Sequence, residues 1–378
     1  MTSRILKLFF IVCLLPFVWH TVHASTSYDY LARCASVTIA ESSREEVSAP
    51  FILTDDYVEV SQDYREEPVI THENTSKRWA VVNTSSCFLR LRPDYESSNE
   101  TQCLMGTVLE VIESDRYWRK VNAPFYKNCW TNDLVLAYMT EEQKDEYEKS
   151  PKWICVVEHS HLYASPDYRS ERVGDFEMCN IIRRNESEDA ANAGKMAHQC
   201  KASESIEGAE CGVDRSGWVE AITASGQMVW IPSSDVRRLE DWKASCVATQ
   251  QTLVQAARRF VGTPYMWGGN TVNYFDCSGF VGFVYKLCGV ELPRNAREQI
   301  DCGTEIPYDL DKLRPGDLIF YGRKATSSRP RSVTHVAMYI GEGCIIHSSQ
   351  LVRISSIVPG TPDYYEKEVV GVRRIVGM

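Results

Sequence analysis

One cysteine in this chain stands in a setting suited to nucleophilic chemistry. In "TPYMWGGNTVNYFDCSGFVGFVYKL", residues 263–287, Cys277 lies between Asp276 and Ser278-Gly279, at the head of an apolar run with helical spacing. Asp276 is a good N-cap, which places the thiol in the first turn of a helix. Free backbone N–H groups and the helix dipole favour negative charge there. A cysteine so placed is expected to have a lowered pKa and to react as the thiolate. Cys288, at the far end of the same run, has no such advantage. A thiolate attacking an amide also needs a base that can return a proton to the leaving amine, and histidine is the usual choice near neutral pH. His335 opens the strand-like "THVAMYIG", and His347 follows twelve residues later in "CIIHSS", with "GEG" supplying a turn between them. The two strands of a hairpin can set two imidazoles side by side, one facing the thiol and the other holding its tautomer. The competing reading of Cys277 is a disulfide half, and a strand histidine by itself is more often a satisfied polar residue. Taken together, the three residues argue for catalysis.

These residues need a scaffold, and the chain changes texture at about residue 246 to provide one. "TLVQAARRFVGTPY" carries Leu253, Val254, Ala257, Phe260 and Val261 at helical spacing, and Gly262 and Pro264 stop it. After the Cys277 helix come strand-like runs: "GDLIFYG", "HVAMYIGEG", "CIIHSS" and "KEVVGVRRI". Helices followed by an antiparallel meander predict an α+β domain over residues 246–378. Upstream, residues 79–140 and 152–240 break into short β-type runs separated by turns. "RLRPDYESS" matches "LYASPDYRSE", and "NCWTNDLV" matches "MVWIPSSDV", so the two stretches read as copies of one small β-barrel. The second copy carries a polar insertion at 185–212, read as a surface loop pinned by Cys200 and Cys211. Residues 25–78 are mixed and polar, with no assignable fold.

Composition sets outer bounds. The chain has 378 residues, 44% hydrophobic and 24% charged, with a net charge of −10. That length suits several domains, and that charge argues against nucleic acid or an anionic membrane as the main partner. Residues 1–24 follow the charged, apolar, small-residue order of a secretory signal, with Arg4 and Lys7, the run Leu8–Trp19, and Ala24 at the cleavage point. No later segment is apolar enough to predict a membrane span. Removal of the signal takes Cys13 from the 14 cysteines and leaves 13, so an oxidising compartment would leave one thiol unpaired while twelve form disulfides. Sequons at Asn74, Asn83, Asn99 and Asn185 fit a glycosylated secretory product, either extracellular or in a lysosome-like compartment. His159 and His161 near Cys155 are too sparse a set to predict a metal site.

The ordered series "TPYMWGG", "DCSGFV", "LPRNAREQ", "LRPGDLIFYG", "THVAMYIGEG" and "IIHSS" resembles the NlpC-type cysteine peptidases, which cleave bacterial cell-wall peptides. The resemblance covers about residues 246–378 and implies a papain-like α+β catalytic domain. It implies Cys277 as nucleophile, His335 as base and His347 as the third polar residue, with no cofactor and no metal. Tyr265, ahead of the Gly-Gly pair, would help bind the developing oxyanion. Asp276 would help hold the free amino group of an L-Ala-γ-D-Glu peptide, with Ser278 flanking it as a further substrate-binding candidate. The two β units are similar to bacterial-type SH3 domains, on Leu91-Arg92-Pro93 and Gly217-Trp218-Val219. Relatives with two such domains imply an acid and a tyrosine from the first one at the subsite, and Glu96 and Tyr126 are the candidates. The position after "LPR" departs from the pattern, with Asn295-Ala296 where a substrate-contacting serine is common. The expected function is thus a secreted endopeptidase cutting after γ-D-glutamate in soluble muropeptides. The alternatives are a wall-binding module with an inactive catalytic domain, and an amidase or acyltransferase on the same scaffold.

Overall fold

The computed structural model describes residues 78–185 and 217–377. The expected signal (1–24), nearly all of the polar segment 25–78, the Asn74 sequon and the Cys200–Cys211 loop fall outside those residues.

The internal similarity in the sequence becomes a repeated topology. The first unit has seven antiparallel strands: Trp79–Val82, Ser86–Arg90, Asn99–Leu104, Val108–Asp115, Trp118–Ala123, Tyr126–Asn132 and Leu136–Met139. The second has Lys152–Cys155, His159–Tyr163, Arg172–Glu177, Ile181–Arg184, Trp218–Ile222, Met228–Pro232 and Val236–Arg238. Numbered within its own unit, each sheet runs in the order third, second, sixth, fifth, fourth, first, seventh. Alternating apolar positions fill each core: Leu89, Leu109 and Val121 in the first, Phe176, Val219 and Ile231 in the second. The matched motifs also align, with Tyr95 tilted against Trp118 at 4.8 Å between ring centroids and Tyr168 against Trp218 at 4.7 Å. The expected barrels are not closed. No ladder joins the third strand to the seventh, so both remain edges. In the first unit the edge Asn99–Leu104 is occupied by the C-terminal unit: Asn99 Nδ2 donates to the Trp267 carbonyl (3.1 Å) and the Asn270 amide to Gln102 Oε1 (2.9 Å).

The C-terminal unit contains helix Gln250–Arg258, helix Cys277–Leu287 and a six-stranded sheet. Strands Leu318–Arg323, Ser332–Gly341, Cys344–Ser349 and Leu351–Ser356 form a meander; the last of these was not expected from the sequence. Val369–Arg374 then crosses back to pair with Leu318–Arg323, so the expected simple meander is corrected to one with a returning strand. Phe280, Val281, Phe283 and Val284 of the Cys277 helix pack on Leu318, Phe320, Val336 and Met338 of the sheet. Gly279 allows the helix start to sit close: a Cβ there would lie 2.1 Å from the Gly269 carbonyl oxygen.

Two expectations from the secretory reading find no support among the described residues. All ten described cysteines are free thiols, and Cys87, Cys103, Cys129, Cys155, Cys179 and Cys288 are buried as small core fillers. The described sequon side chains are engaged: Nδ2 of Asn83 donates to Ser225 Oγ, of Asn99 to the Trp267 carbonyl and of Asn185 to Glu220 Oε2. No described helix is long and apolar enough to cross a membrane.

Candidate active site

The helix Cys277–Leu287 begins where the sequence placed it, with Asp276 as the extended N-cap accepting from the Gly279 amide at 2.7 Å. The cap does more than close the helix. Oδ2 also accepts from the Gly268 amide (3.0 Å) and from Arg294 Nη2 (2.6 Å). Oδ1 takes further hydrogen bonds from Arg294 Nη1 (3.1 Å) and Ser278 Oγ (3.2 Å). These five donors engage both oxygens of the carboxylate. Asp276 thus holds the start of the helix that carries Cys277. Ser278 is drawn into the same lattice, accepting from Arg294 Nη1 at 3.0 Å. Arg294, which the sequence reading passed over, also donates to Thr101 of the first β unit (2.6 Å) and to the Gly269 carbonyl (3.3 Å). One buried guanidinium thus joins the first unit to the turn that carries Cys277.

The thiol faces the central strand, and the Val336 backbone hydrogen-bonds to the sulfur. Val336 directly follows His335, so the base and the sulfur are set by adjacent residues of one strand. Burial pushes the Cys277 thiol up to about 11, the Asp276 charge adds to the rise, and hydrogen bonds from the Val336 and Ser278 backbone oppose it. The expected lowering at a helix N-terminus is overturned here, because desolvation of the sulfur outweighs the field of the helix end.

The two histidines meet as the hairpin predicted. Met338 is paired with Ile346, which sets His347 diagonally across from His335, and His335 Nε2 lies 2.8 Å from His347 Nδ1. Beyond it, His347 Nε2 lies 3.1 Å from the Ser355 hydroxyl. Burial is the main cause that lowers His335 to about 4, with Lys367 and Arg353 adding to the fall and Asp276 opposing it. Burial also lowers His347 to about 3, reinforced by His335 and Arg353. Thiol and imidazoles are accordingly neutral at rest. The contacts also select a tautomer. Nε2 of His335 faces His347, so Nδ1 is the nitrogen left to accept a proton. Nε2–H then donates to His347 Nδ1, and His347 Nε2–H donates to Ser355 Oγ.

Tyr265 is half-buried, and its hydroxyl is raised to about 12 by burial first and then by Cys277 and Asp276. It therefore stays protonated near Cys277 and could donate a hydrogen bond there. Of the pair expected from the first β unit, Tyr126 is in place: its hydroxyl lies 3.3 Å from Glu100 Oε2 and 3.4 Å from Asn295 Oδ1. Glu96 is not. It sits exposed in the turn after Asp94, whose carboxylate accepts from its amide, and Glu100 is the acid that accompanies Tyr126. Tyr365 is a further member missed by the sequence reading, with its ring 4.6 Å from that of His347 and 5.4 Å from that of His335.

Residues 262–374 match the NlpC/P60 family. This segment is similar to NlpC/P60 domains. Its similarity extends to the γ-D-glutamyl-L-lysine dipeptidyl-peptidase of Bacillus cereus (strain ATCC 10987 / NRS 248), 37% identical over 151 residues, or 40% of this chain and 44% of that protein. The enzyme of the same name from Bacillus subtilis (strain 168) is 33% identical over 159 residues, covering 42% of this chain and 50% of its own length. The chain thus spans about half the length of the curated relatives it matches. The fold likeness reaches beyond that segment. An NlpC/P60 family protein from Bacillus cereus ATCC 10987 superposes with a TM-score of 0.59 at 22% identity, covering 79% of this chain and all of that one.

Proposed function

We propose that the protein is a cysteine endopeptidase of peptidoglycan stem peptides, cutting between γ-D-glutamate and the following diaminopimelate or L-lysine. The observation that carries this reading is the His335–His347–Ser355 relay, on the strand whose next residue, Val336, hydrogen-bonds to Cys277 through its backbone. A relay that fixes His335 with Nδ1 free is what a neutral thiol needs, because the proton must leave the sulfur as attack occurs. Sulfur attacks the γ-carbonyl carbon while Nδ1 of His335 takes the thiol proton. The carbonyl oxygen gains charge, against the first-turn amide of Cys277 and the Tyr265 hydroxyl. As the C–N bond breaks, His335 returns the proton to the leaving amine. Water then attacks the thioester with His335 again as base, releasing the acid and the free thiol.

The names of the Bacillus relatives support the γ-D-glutamyl bond and a dipeptide-releasing mode. Such a mode needs an acid to receive a free N-terminal ammonium, and Glu100 with Tyr126 is the pair the geometry offers. The first β unit, read as SH3-like, then closes the site against long or capped substrates. The charged and apolar order of residues 1–24 supports secretion, which would put the enzyme where wall fragments are met. Mass spectrometry of products from synthetic L-Ala-γ-D-Glu-diaminopimelate, with its amino group free or acetylated, tests the proposal. Cleavage of the free peptide after γ-D-Glu, and at least ten times slower cleavage of the acetylated one, is expected at the roughly 1.4 kcal/mol that one lost charged contact is worth. Equal cleavage of both would remove the amine subsite, and no cleavage of either would remove the substrate.

A further inference from the structure

The loop that brings the chain back from strand Leu351–Ser356 to strand Val369–Arg374 places one aromatic ring against the relay. The Tyr365 amide donates to the Ser356 carbonyl at 2.8 Å, which ties the residue to the end of the strand carrying Ser355. Its ring stands edge-on to His347 (4.6 Å between centroids, 78° between planes) and tilted to His335 (5.4 Å, 43°). It also packs at 82° on Tyr321, 5.1 Å away, whose ring is buried behind His335. The two imidazoles are therefore walled by two tyrosines, one from the central sheet and one from the loop. The Cys277 charge is among the causes that raise the Tyr365 hydroxyl, after burial itself, so this ring borders the thiol side of the site as well.

We propose that Tyr365 is a positioning residue of the proposed reaction: its ring holds the His335–His347 pair in register and keeps water from it. The inference rests on the peptidase reading for its kinetic arm alone. A ring wedged against both imidazoles restricts their rotation, so the 2.8 Å contact between them keeps one geometry. The same ring excludes solvent, and dry surroundings disfavour the imidazolium. Other groups act on the pair from the neighbouring elements. Lys367 and Arg353 lower His335, Asp276 raises it, and His335 and Arg353 lower His347. Cys277, Tyr321 and Tyr365 are neutral over the range of interest. Removing the ring leaves all those charges in place, so any change in titration reports the lost wall.

The test compares Tyr365→Ala and Tyr365→Phe in the full chain, with folding checked by circular dichroism. Proton NMR titration of His335 and His347 needs no substrate, so it reads the inference even if muropeptides prove not to be cleaved. In Tyr365→Ala both imidazoles are expected to titrate higher by about one pH unit or more, the direction for renewed hydration. The acid limb of kcat/KM on the free tripeptide should rise with them. Tyr365→Phe keeps the ring and should keep wild-type titration. Unchanged histidine titration in a folded Tyr365→Ala would overturn the inference. So would an equal shift in Tyr365→Phe, since the hydroxyl and not the ring would then be responsible.

Discussion

Replacing Arg294 with methionine tests the lattice that holds the nucleophile's helix. The side chain is 7% exposed, and its partner Asp276 is 10% exposed. Methionine keeps most of the bulk but strips the charge, leaving Asp276 buried with the Gly268, Gly279 and Ser278 donors alone. Breaking a buried ion pair by removing one partner costs about 3–5 kcal/mol. If that cost falls on the local opening of the Asp276 turn, amide exchange at Gly268 and Gly279 should quicken by roughly two to four orders of magnitude, at about 1.4 kcal/mol per factor of ten. Hydrogen exchange read by mass spectrometry on peptides covering residues 266–282 measures this directly. Thr101→Val removes only the acceptor from Arg294 Nε, so its effect should be smaller, about 1–3 kcal/mol, and should not add fully to Arg294→Met. Exchange less than about tenfold faster in a folded Arg294→Met variant would show that the buried guanidinium is not what holds the cap.

Two further outcomes follow from the same geometry. With the thiol raised to about 11 and His335 lowered to about 4, iodoacetamide labelling of Cys277 should climb close to tenfold per pH unit from 7 to 10; a plateau reached by pH 7 would show a thiolate–imidazolium pair instead. The sign is set by burial, which favours the neutral form of both groups, so acid below about pH 4 should protonate His335 and stop it acting as a base. Glu100→Gln should raise KM for the free tripeptide by about tenfold or more while Glu96→Gln leaves it alone, since Glu100 and not Glu96 accompanies Tyr126; the reverse ranking would return the subsite to the turn.

The placing of Cys277 at a helix start and of His335 beside His347 was legible because each stands on a local signal. Asp276 with apolar spacing marks a helix start, and "GEG" between two alternating runs marks a hairpin. Duplication of the β units was legible from the paired "PDY" motifs, which proved to be the same strand order twice. Long-range features were not. Arg294 reaches Thr101 across 193 residues of sequence, and Tyr365 enters the site from a loop, so neither has a neighbouring pattern to announce it. Strand Leu351–Ser356 was missed because Leu351 is exposed and Arg353 interrupts the alternation at the edge of the sheet. Glu100 was not singled out because only strand pairing shows which carboxylate reaches Tyr126. The thiol pKa failed for a physical reason: position at a helix end is visible in sequence, whereas burial of the sulfur depends on the packed sheet. Cysteine parity misled likewise, since a thiol that fills a core looks in composition like a thiol awaiting a partner.

The most direct measurement is muropeptide cleavage by Cys277→Ala beside the unaltered chain, followed by mass spectrometry at matched protein concentration. The account predicts release of L-Ala-γ-D-Glu by the chain with sulfur at 277 and none by the alanine variant. Undiminished release by the variant would contradict it.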